Sequence, residues 1–386
     1  MFSNHSTRRQ FLGTASALAG VALAPHRFRA APAADAAFSF VLLGDVHYDK
    51  AEHHDFVWAK QTKSTTANSP GFVQKTREIL PPLFASVRDT IADLNRNPAT
   101  RVAFVLQVGD LVQGACGNEE LATRQNSDAL QFVGEAALGV PFLFTKGNHD
   151  VSGPGAKEAF ASVFHPFLNA QAHAVSPAIA DIKSGRYTVE RGNAQFAFFD
   201  AYDLAASLDW FEAVAARRTA ENFFLVIHPP VVPYGARSTW TIYSSEKDRP
   251  KREKLMAMLG EHRAFVLSGH LHRYCSLGRQ TPRGRFAQFA LSSVIYGPDV
   301  QPALELSGLE NYSGDQVRVE PRFSPETEAL RRELFELERP SITAFEFADL
   351  PGYAVVTVDG PRVRATMFRG ITRDVWRTVD LSGLLG

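Results

Sequence analysis

Phe38-Ser39-Phe40-Val41-Leu42-Leu43 runs directly into Gly44-Asp45-Val46-His47: a short apolar run closed by a glycine, a carboxylate and an imidazole. A run of that length ahead of a turn residue reads as a buried strand. The pattern then repeats along the chain. Arg101–Val108 leads to Gly109-Asp110, Pro141–Thr145 to Gly147-Asn148-His149-Asp150, Phe223–Ile227 to His228, and Ala264–Leu267 to Gly269-His270-Leu271-His272. Between these strands, Val73–Asn95, Glu119–Leu138, Lys157–Leu168 and Ser245–Leu259 read as helices. Alternating strands and helices predict a layered α/β domain. The C-terminal edge of such a sheet gathers functional groups, so polar residues spread from Asp45 to His272 can meet in one place.

Arg186–Glu190 and Gln195–Phe199 flank Arg191-Gly192-Asn193, and Tyr353–Val358 and Arg362–Phe368 flank Asp359-Gly360-Pro361. Each set reads as a β-hairpin. Two stretches fit no minimal domain. Residues 48–71 are polar and irregular after the first strand, and residues 297–350 hold turn signals and one charged helix around Pro325–Glu338. Loops beyond strand ends surround active sites. Both stretches are therefore candidate lids or substrate walls, with surface decoration as the alternative.

The residue types at the strand ends are metal ligands. Imidazole and carboxylate together suit iron, manganese or zinc. Side chains alternate along a strand, so Asp45-x-His47 and His270-x-His272 each put two donors on one side. The Asp110 carboxylate has two oxygens and can bridge two cations. Two ions roughly 3.5–4 Å apart can hold a phosphate, lower the pKa of a bridging water and stabilise charge on the leaving oxygen. The neighbouring glycines let the backbone turn sharply and approach the ions. Single pieces are weak signals: Gly-Asp is common by chance, and a histidine after a strand is usually packed or at the surface. The ordered set carries the weight, because five of the twelve histidines fall in these segments.

This ordered set resembles the calcineurin-like metallophosphoesterase superfamily, whose pattern is Asp-x-His, Gly-Asp, Gly-Asn-His-Asp/Glu, a later His and Gly-His-x-His. The first and third blocks resemble the cyclic-nucleotide phosphodiesterase-like branch as much as any, beside the phosphatases. The implied fold is α/β: a four-layered αββα sandwich with two mixed β-sheets flanked by helices. The C-terminal hairpin looks like the strands that close the family's second sheet. The resemblance implies that Asp45, His47 and His272 bind one metal, that Asn148, His228 and His270 bind the other, and that Asp110 bridges them. It also implies that His149 contacts the phosphate and protonates the leaving group, with Asp150 orienting it. An imidazolium can donate a proton near neutral pH, and a carboxylate can fix its tautomer.

The chain departs from the family at Gln113, where relatives often carry Asp or Asn. Purple acid phosphatases place a metal-binding tyrosine there and lack the first-block histidine, so this chain should not be a purple, tyrosinate-ligated enzyme. Other residues have two readings each. Lys146 could reach phosphate, with a solvated lysine preferred. His53 and His54 could line the pocket or lie exposed in the loop. Tyr234, Trp240 and Tyr243 could stack a nucleobase or pack their own loop.

Working outward to the termini, Ser6-Thr7-Arg8-Arg9-Gln10-Phe11-Leu12 precedes a mild apolar run, Gly13–Ala24, too short to span a bilayer. It looks like a twin-arginine export signal, cleaved among Ala30–Ala36. Residues 1–34 are thus read as a signal peptide and residues 35–386 as a single phosphoesterase domain, acting in the periplasm or secreted. The expected partner is the twin-arginine export machinery, with no stable membrane anchor. Residues 1–34 carry four arginines and no acids, so Lys+Arg falls from 41 to 37 against 41 Asp+Glu and the mature charge is near −4. An acidic chain disfavours a nuclease and nucleic-acid partners generally, although Lys247–Lys254 could form a local basic patch. Cys116 and Cys275 make no disulfide framework; two unpaired thiols are the preferred reading, with pairing the alternative in an oxidising compartment.

The reaction implied is metal-dependent hydrolysis of a small phosphate ester, first as a phosphodiesterase, alternatively as a phosphate-scavenging phosphomonoesterase. A secreted binding protein that had lost the chemistry is disfavoured, because every site position is intact.

Overall fold

A computed structural model describes residues 37–62, 69–235, 237–294, 301–316 and 325–386. The stretch expected to be an export signal therefore lies outside the described residues, as do parts of both irregular stretches. Fourteen strands occur among the described residues: β1 Phe38–Leu43, β2 Val102–Gln107, β3 Phe142–Phe144, β4 Tyr187–Arg191, β5 Ala194–Phe199, β6 Asn222–Ile227, β7 Phe265–Ser268, β8 Tyr274–Thr281, β9 Gly284–Ala290, β10 Glu305–Ser307, β11 Ile342–Ala348, β12 Gly352–Asp359, β13 Arg362–Arg369 and β14 Val375–Asp380. They form a six-stranded sheet, β14-β13-β12-β1-β2-β3, and an eight-stranded sheet, β10-β11-β8-β9-β7-β6-β5-β4. Both are mixed. β1, β2 and β3 run parallel, as do β5, β6, β7 and β9, while the outer pairs are antiparallel. This is the two-sheet sandwich expected.

The five ligand-bearing strands do not share one sheet edge. β1, β2 and β3 belong to the first sheet, and β6 and β7 to the second. The site forms where the C-terminal ends of the two parallel sets converge. The C-terminal hairpin also departs from expectation. β12 pairs antiparallel with β1, from Phe38 opposite Val358 to Leu43 opposite Tyr353, so it closes the first sheet rather than the second. The reason is the apolar edge of β1, which is buried along its whole length and requires a backbone partner on each side.

Phenylalanine holds the sheets together. Phe40 stacks on Phe104 at 5.3 Å in the first sheet, and Phe196 on Phe224 at 4.6 Å in the second. The two pairs meet edge to face, with Phe40 and Phe196 at 5.2 Å. Each such aromatic contact adds about 0.5–1.5 kcal/mol beyond area burial. The outer faces are covered by helices: Leu80–Leu94 packs Leu83, Phe84, Val87 and Ile91 into one core, and Leu204–Ala216 and Arg249–Glu261 pack Phe211, Leu255 and Leu259 into the other. The expected helix over Val73–Asn95 is two helices, Ser69–Glu78 and Leu80–Leu94, broken at Ile79. Pro81 and Pro82 lack the amide hydrogens a continuous helix needs. The helix expected at Lys157–Leu168 runs on to Val175, through a π turn at Phe160–Phe164.

The described part of residues 297–350 supplies β10 and β11, with Ala348 opposite Tyr274 of β8, and the helix Pro325–Glu338. No helix among the described residues is long and apolar enough to cross a membrane.

Candidate functional site

Gln107, the last residue of β2, ties the strand exits together. Its side-chain amide donates to the carbonyls of Gly44 and Gly109 and accepts the Gly109 N–H at 3.0 Å. Beyond these exits the backbone turns left-handed at His47 (φ 50°), Asp110 (φ 56°), His270 (φ 70°) and His272 (φ 55°). Non-glycine residues rarely adopt that region, and strain of about 1–3 kcal/mol each persists only where the surroundings enforce it. Asp45 with His47, and His270 with His272, therefore converge through these turns, not through strand alternation as the spacing suggested. Two glycines make the approach possible by proximity. A Cβ on Gly147 would stand 2.1 Å from Asp110 Oδ1, and one on Gly269 would stand 2.3 Å from Asp45 Oδ1.

The result is a compact set of donors. His272 Nε2 lies 2.8 Å from Asp45 Oδ2 and 3.0 Å from His47 Nε2. His228 Nε2 lies 3.1 Å from Asp110 Oδ2 and 3.2 Å from His270 Nδ1. Asp110 Oδ2 is also 3.9 Å from His47 Nε2, which puts that carboxylate between the two groups. His228 Nδ1 donates to the Val108 carbonyl at 2.8 Å, so its Nε2 faces inward. Such a bond fixes the tautomer a metal needs.

This donor set fits a pair of divalent cations. Asn148 Oδ1 and His47 Nδ1 are buried with no hydrogen-bond partner among the described residues, and several imidazole nitrogens point at one another or at carboxylates. Asp45-His47-His272 and Asp110-His228-His270 each bring their ligand atoms within 4.8 Å of one another, and Asp110, His47 and His149 do the same. Burial pushes His47 well below the usual imidazole range and takes His270 down to about 3, helped by the neighbouring His149 and His228 respectively. Both stay neutral, the form that binds metal. Burial would raise Asp45 and Asp110, but the facing histidines hold both carboxylates below the ordinary value. Burial would lower His228, but Asp110 and Asp45 outweigh it and lift it to about 9.

Residues 38–274 match the family model described as Calcineurin-like phosphoesterase. The chain belongs to this family. It is a metallophosphoesterase, an enzyme of metal-dependent phosphoester hydrolysis, and the family uses a dinuclear metal centre. No curated protein matches it by sequence. Among solved structures it is similar to a purple acid phosphatase from yellow lupin (Lupinus luteus) seeds, with TM-score 0.51 and 13% identity over 91% of this chain and 55% of that one. It therefore spans little more than half of the lupin chain, and at this identity the likeness is one of fold. PhoD matches with TM-score 0.49 and 13% identity over 90% of this chain and 69% of that one. A dimetal phosphatase from Danio rerio matches with TM-score 0.49 and 16% identity over 90% of this chain and all, 100%, of that one.

Around the phosphoesterase centre, several residues have other partners than the sequence suggested. Asp150 does not orient His149. Its Oδ2 accepts the N–H groups of Asp110 and Gly147, and its Oδ1 accepts that of Val112. The His149 ring is held instead by the Gln113 backbone, Nδ1 donating to the carbonyl at 2.7 Å. Sequence gives no signal for a main-chain acceptor. His53 and His54 do not line the cavity: His54 bonds the buried Asp49 at 2.7 Å, and His53 bonds Asp128 at 3.0 Å. Lys146 is neither solvated nor at the centre; it pairs with Asp200 and lies over the Phe160 ring. Tyr234 is fully buried and donates to the Arg273 carbonyl, so it packs its loop. Cys116 and Cys275 are separate, buried thiols.

The cavity above the donors measures about 680 Å³. Trp240 and Tyr243 line it, as do Phe72, Tyr202, Arg237 and Gln113, of which sequence reading singled out only Trp240, Tyr243 and Gln113. Phe72 packs on His47 at 4.8 Å and Trp240 on His270 at 5.4 Å.

Proposed function

We propose that this enzyme hydrolyses diesters of phosphate with small organic groups. The observation that carries the reading is the character of the cavity wall. Aromatic surface stands beside both halves of the donor set, Phe72 on His47 and Trp240 on His270. Arg237 is the single lysine or arginine among the described lining residues. A diester has one negative charge and two organic arms, which apolar walls can cover. A monoester dianion calls for further cations beside the phosphate.

In this reading Asp45, His47 and His272 hold one cation, Asn148, His228 and His270 hold the other, and Asp110 holds both. Bound divalent ions would supply a polarising charge on the phosphate and a water acidic enough to attack at neutral pH. The chain's own groups do the rest. His149 gives a proton from its ring to the departing oxygen, while the Gln113 carbonyl keeps Nδ1 occupied. Tyr202 lines the same cavity; burial and then the Asp110 carboxylate push its phenol well above its usual pKa, so it remains a neutral donor.

The same proposal takes Ser6–Leu12 as an export signal and places the activity outside the cytoplasm, on the strength of Arg8-Arg9 followed by Phe11-Leu12 and an apolar run. Replacing both arginines by lysine should leave the protein in the cytoplasm; unchanged export would remove this part.

The activity is tested by hydrolysis of bis(p-nitrophenyl) phosphate against p-nitrophenyl phosphate, with added Mn²⁺ and with chelator. A chelator-sensitive preference for the diester is expected. A preference for the monoester would make the enzyme a phosphomonoesterase.

A further inference from the structure

Gln125 sits midway along the helix Glu119–Glu135, on the stripe that the helix buries: Ala122, Gln125, Asn126, Ala129 and Val133. That spacing is the inward face of an amphipathic helix, and a long amide placed in it must find partners. Gln125 finds two. Gly114 N–H donates to Gln125 Oε1 at 2.9 Å, and Gln125 Nε2 donates to Asp49 Oδ1 at 2.9 Å. Both side chains are buried. The residue type follows from the partners. A peptide N–H only donates and a carboxylate only accepts, so the group between them must accept on one side and donate on the other. Glutamine does both; methionine does neither.

The peptide that Gln125 holds is the one that holds His149. Gly114 N–H and the Gln113 carbonyl are two ends of one planar unit, and His149 Nδ1 donates to that carbonyl at 2.7 Å. Four groups therefore stand in order: the His149 ring, the 113–114 peptide, the Gln125 amide and the Asp49 carboxylate. Each donates to the next, and hydrogen bonds in such a chain polarise and strengthen one another. The peptide has little room to move. Gln113 N–H donates to the Tyr48 carbonyl at 3.1 Å, and Ala115 N–H to the Ser152 carbonyl at 2.8 Å. Gly114 lies at φ 66°, and a Cβ there would stand 2.0 Å from the His149 carbonyl oxygen. At the far end Asp49 Oδ1 also meets His54 Nε2 at 2.7 Å, and Asp49 N–H donates to Thr76 Oγ1 at 2.9 Å, so the carboxylate is fixed in turn.

We propose that Gln125, anchored on Asp49, is a positioning residue for His149. It acts through the 113–114 peptide, and it aims the ring at the departing oxygen without touching substrate. The proposal rests on the reading of His149 as the proton donor. The cavity is lined by His149 and Gln113 but by neither Gln125 nor Asp49. The role that the neighbouring Asp150 was expected to fill thus falls to a carboxylate a hundred positions earlier, reached through two amides.

The ring itself can be observed apart from turnover. The Zn²⁺-loaded protein, labelled with ¹⁵N-histidine, would be compared by NMR with Gln125→Met, and the His149 signals identified by their loss in His149→Ala. The Nδ1 hydrogen of His149 should exchange with water about tenfold or more faster in Gln125→Met, as expected for a weakened hydrogen bond. The rings of His228 and His270 should be unchanged, which a general loosening of the fold would not allow. In hydrolysis, Gln125→Met should lower kcat for alkyl esters by up to about 10²-fold, the cost of a misplaced group, and leave KM unchanged. Added to His149→Ala it should lower kcat no further, since the two residues act as one unit. Gln125→Glu sets two carboxylates face to face and should also loosen the ring. Joined to Asp49→Asn it should recover, because the new carboxylate accepts from both Gly114 and the new amide; this pair serves in place of Gln125→Met if that variant does not fold. An unchanged His149 signal in Gln125→Met, an additive loss on His149→Ala, or no recovery in the double variant would each overturn the proposal. Failure to turn over any ester would strike the proposed function and leave the ring signal to decide this one.

Discussion

Asp150 Oδ2 accepts the backbone N–H of Asp110 at 3.1 Å, across two loops that leave neighbouring strands. The same carboxylate takes the N–H groups of Gly147 and Val112, so one buried side chain satisfies three donors. Asparagine offers a single oxygen, and its amide hydrogens would face a backbone N–H. Asp150→Asn should therefore cost about 1–3 kcal/mol, the penalty of an unsatisfied buried donor. It should also lower metal occupancy, because the carboxylate holds the loop that carries Asp110. Thermal unfolding and metal analysis check this; an unchanged Tm with full occupancy would show that Asp150 does not hold the centre together.

His149 has the complementary signature. Its ring meets His47 edge to face at 4.7 Å and is anchored by Gln113, outside the two ligand sets assigned to the metals. His149→Ala should keep its metals and lose about 10²–10⁴-fold in kcat, the usual worth of a general acid. The loss should be smallest for p-nitrophenyl esters, whose leaving group departs without a proton, and largest for alkyl esters. A uniform loss across leaving groups would argue against proton donation.

The close approaches of Gly147 and Gly269 allow a sharper steric test. A methyl group at Gly269 would stand 2.3 Å from Asp45 Oδ1, and one at Gly147 would stand 2.1 Å from Asp110 Oδ1 and from the Asp110 nitrogen. Relieving either contact must move a carboxylate of the donor set. Gly269→Ala and Gly147→Ala should each cost roughly 1–3 kcal/mol of stability and reduce bound metal. Gly134→Ala, on a helix surface with nothing within 4 Å, is the control and should leave both unchanged. Full metal content in the first two variants would refute the steric account.

Much of this arrangement could be read before any coordinates. β1 is placed to the residue, because Phe38–Leu43 is apolar throughout and Gly44 ends it. The seven ligand candidates were found because each follows such a run. Less visible was anything dependent on main chain or on neighbours distant in sequence. The left-handed turns at His47 and His272 have no glycine to announce them. Asp150 looked like a partner for His149 because it is adjacent, yet its acceptors' geometry matches backbone amides from other loops. β11 escaped notice inside a stretch of turn signals; only its pairing with β8 makes Ile342–Ala348 a strand. Arg237 stood in a loop of prolines and aromatics with no motif around it, and its place over the Trp240 ring in the cavity wall shows only in the fold.

The two thiols give a prediction about reactivity. Burial, with Asp49 nearby, pushes the Cys116 thiol up to about 12, and burial pushes Cys275 well above its usual value. A raised thiol pKa means the protonated form persists at pH 8, and the thiolate is the reactive species. The native protein should therefore be inert to a disulfide reagent at pH 8, and the denatured protein should titrate two thiols. Rapid labelling of the native state would contradict the buried environment, and absence of free thiols after unfolding would mean that they had paired.

Asp110 is the residue on which the dinuclear reading depends most. Its Oδ2 lies near ligand nitrogens of both groups, 3.1 Å from His228 and 3.9 Å from His47, while its Oδ1 accepts the His149 N–H at 2.8 Å. A cation that binds only the folded chain raises stability by about 2.7 kcal/mol at a hundred times its Kd. Chelator should accordingly lower the Tm of the wild type, and added Mn²⁺ should restore it. Asp110→Asn keeps one oxygen for the His149 amide but loses the charge shared between the two groups. Its Tm should no longer respond to Mn²⁺, and metal analysis should find both sites depleted rather than one. Depletion of one site alone would mean that the carboxylate serves a single cation, and full occupancy with normal hydrolysis would rule out a bridging role for Asp110.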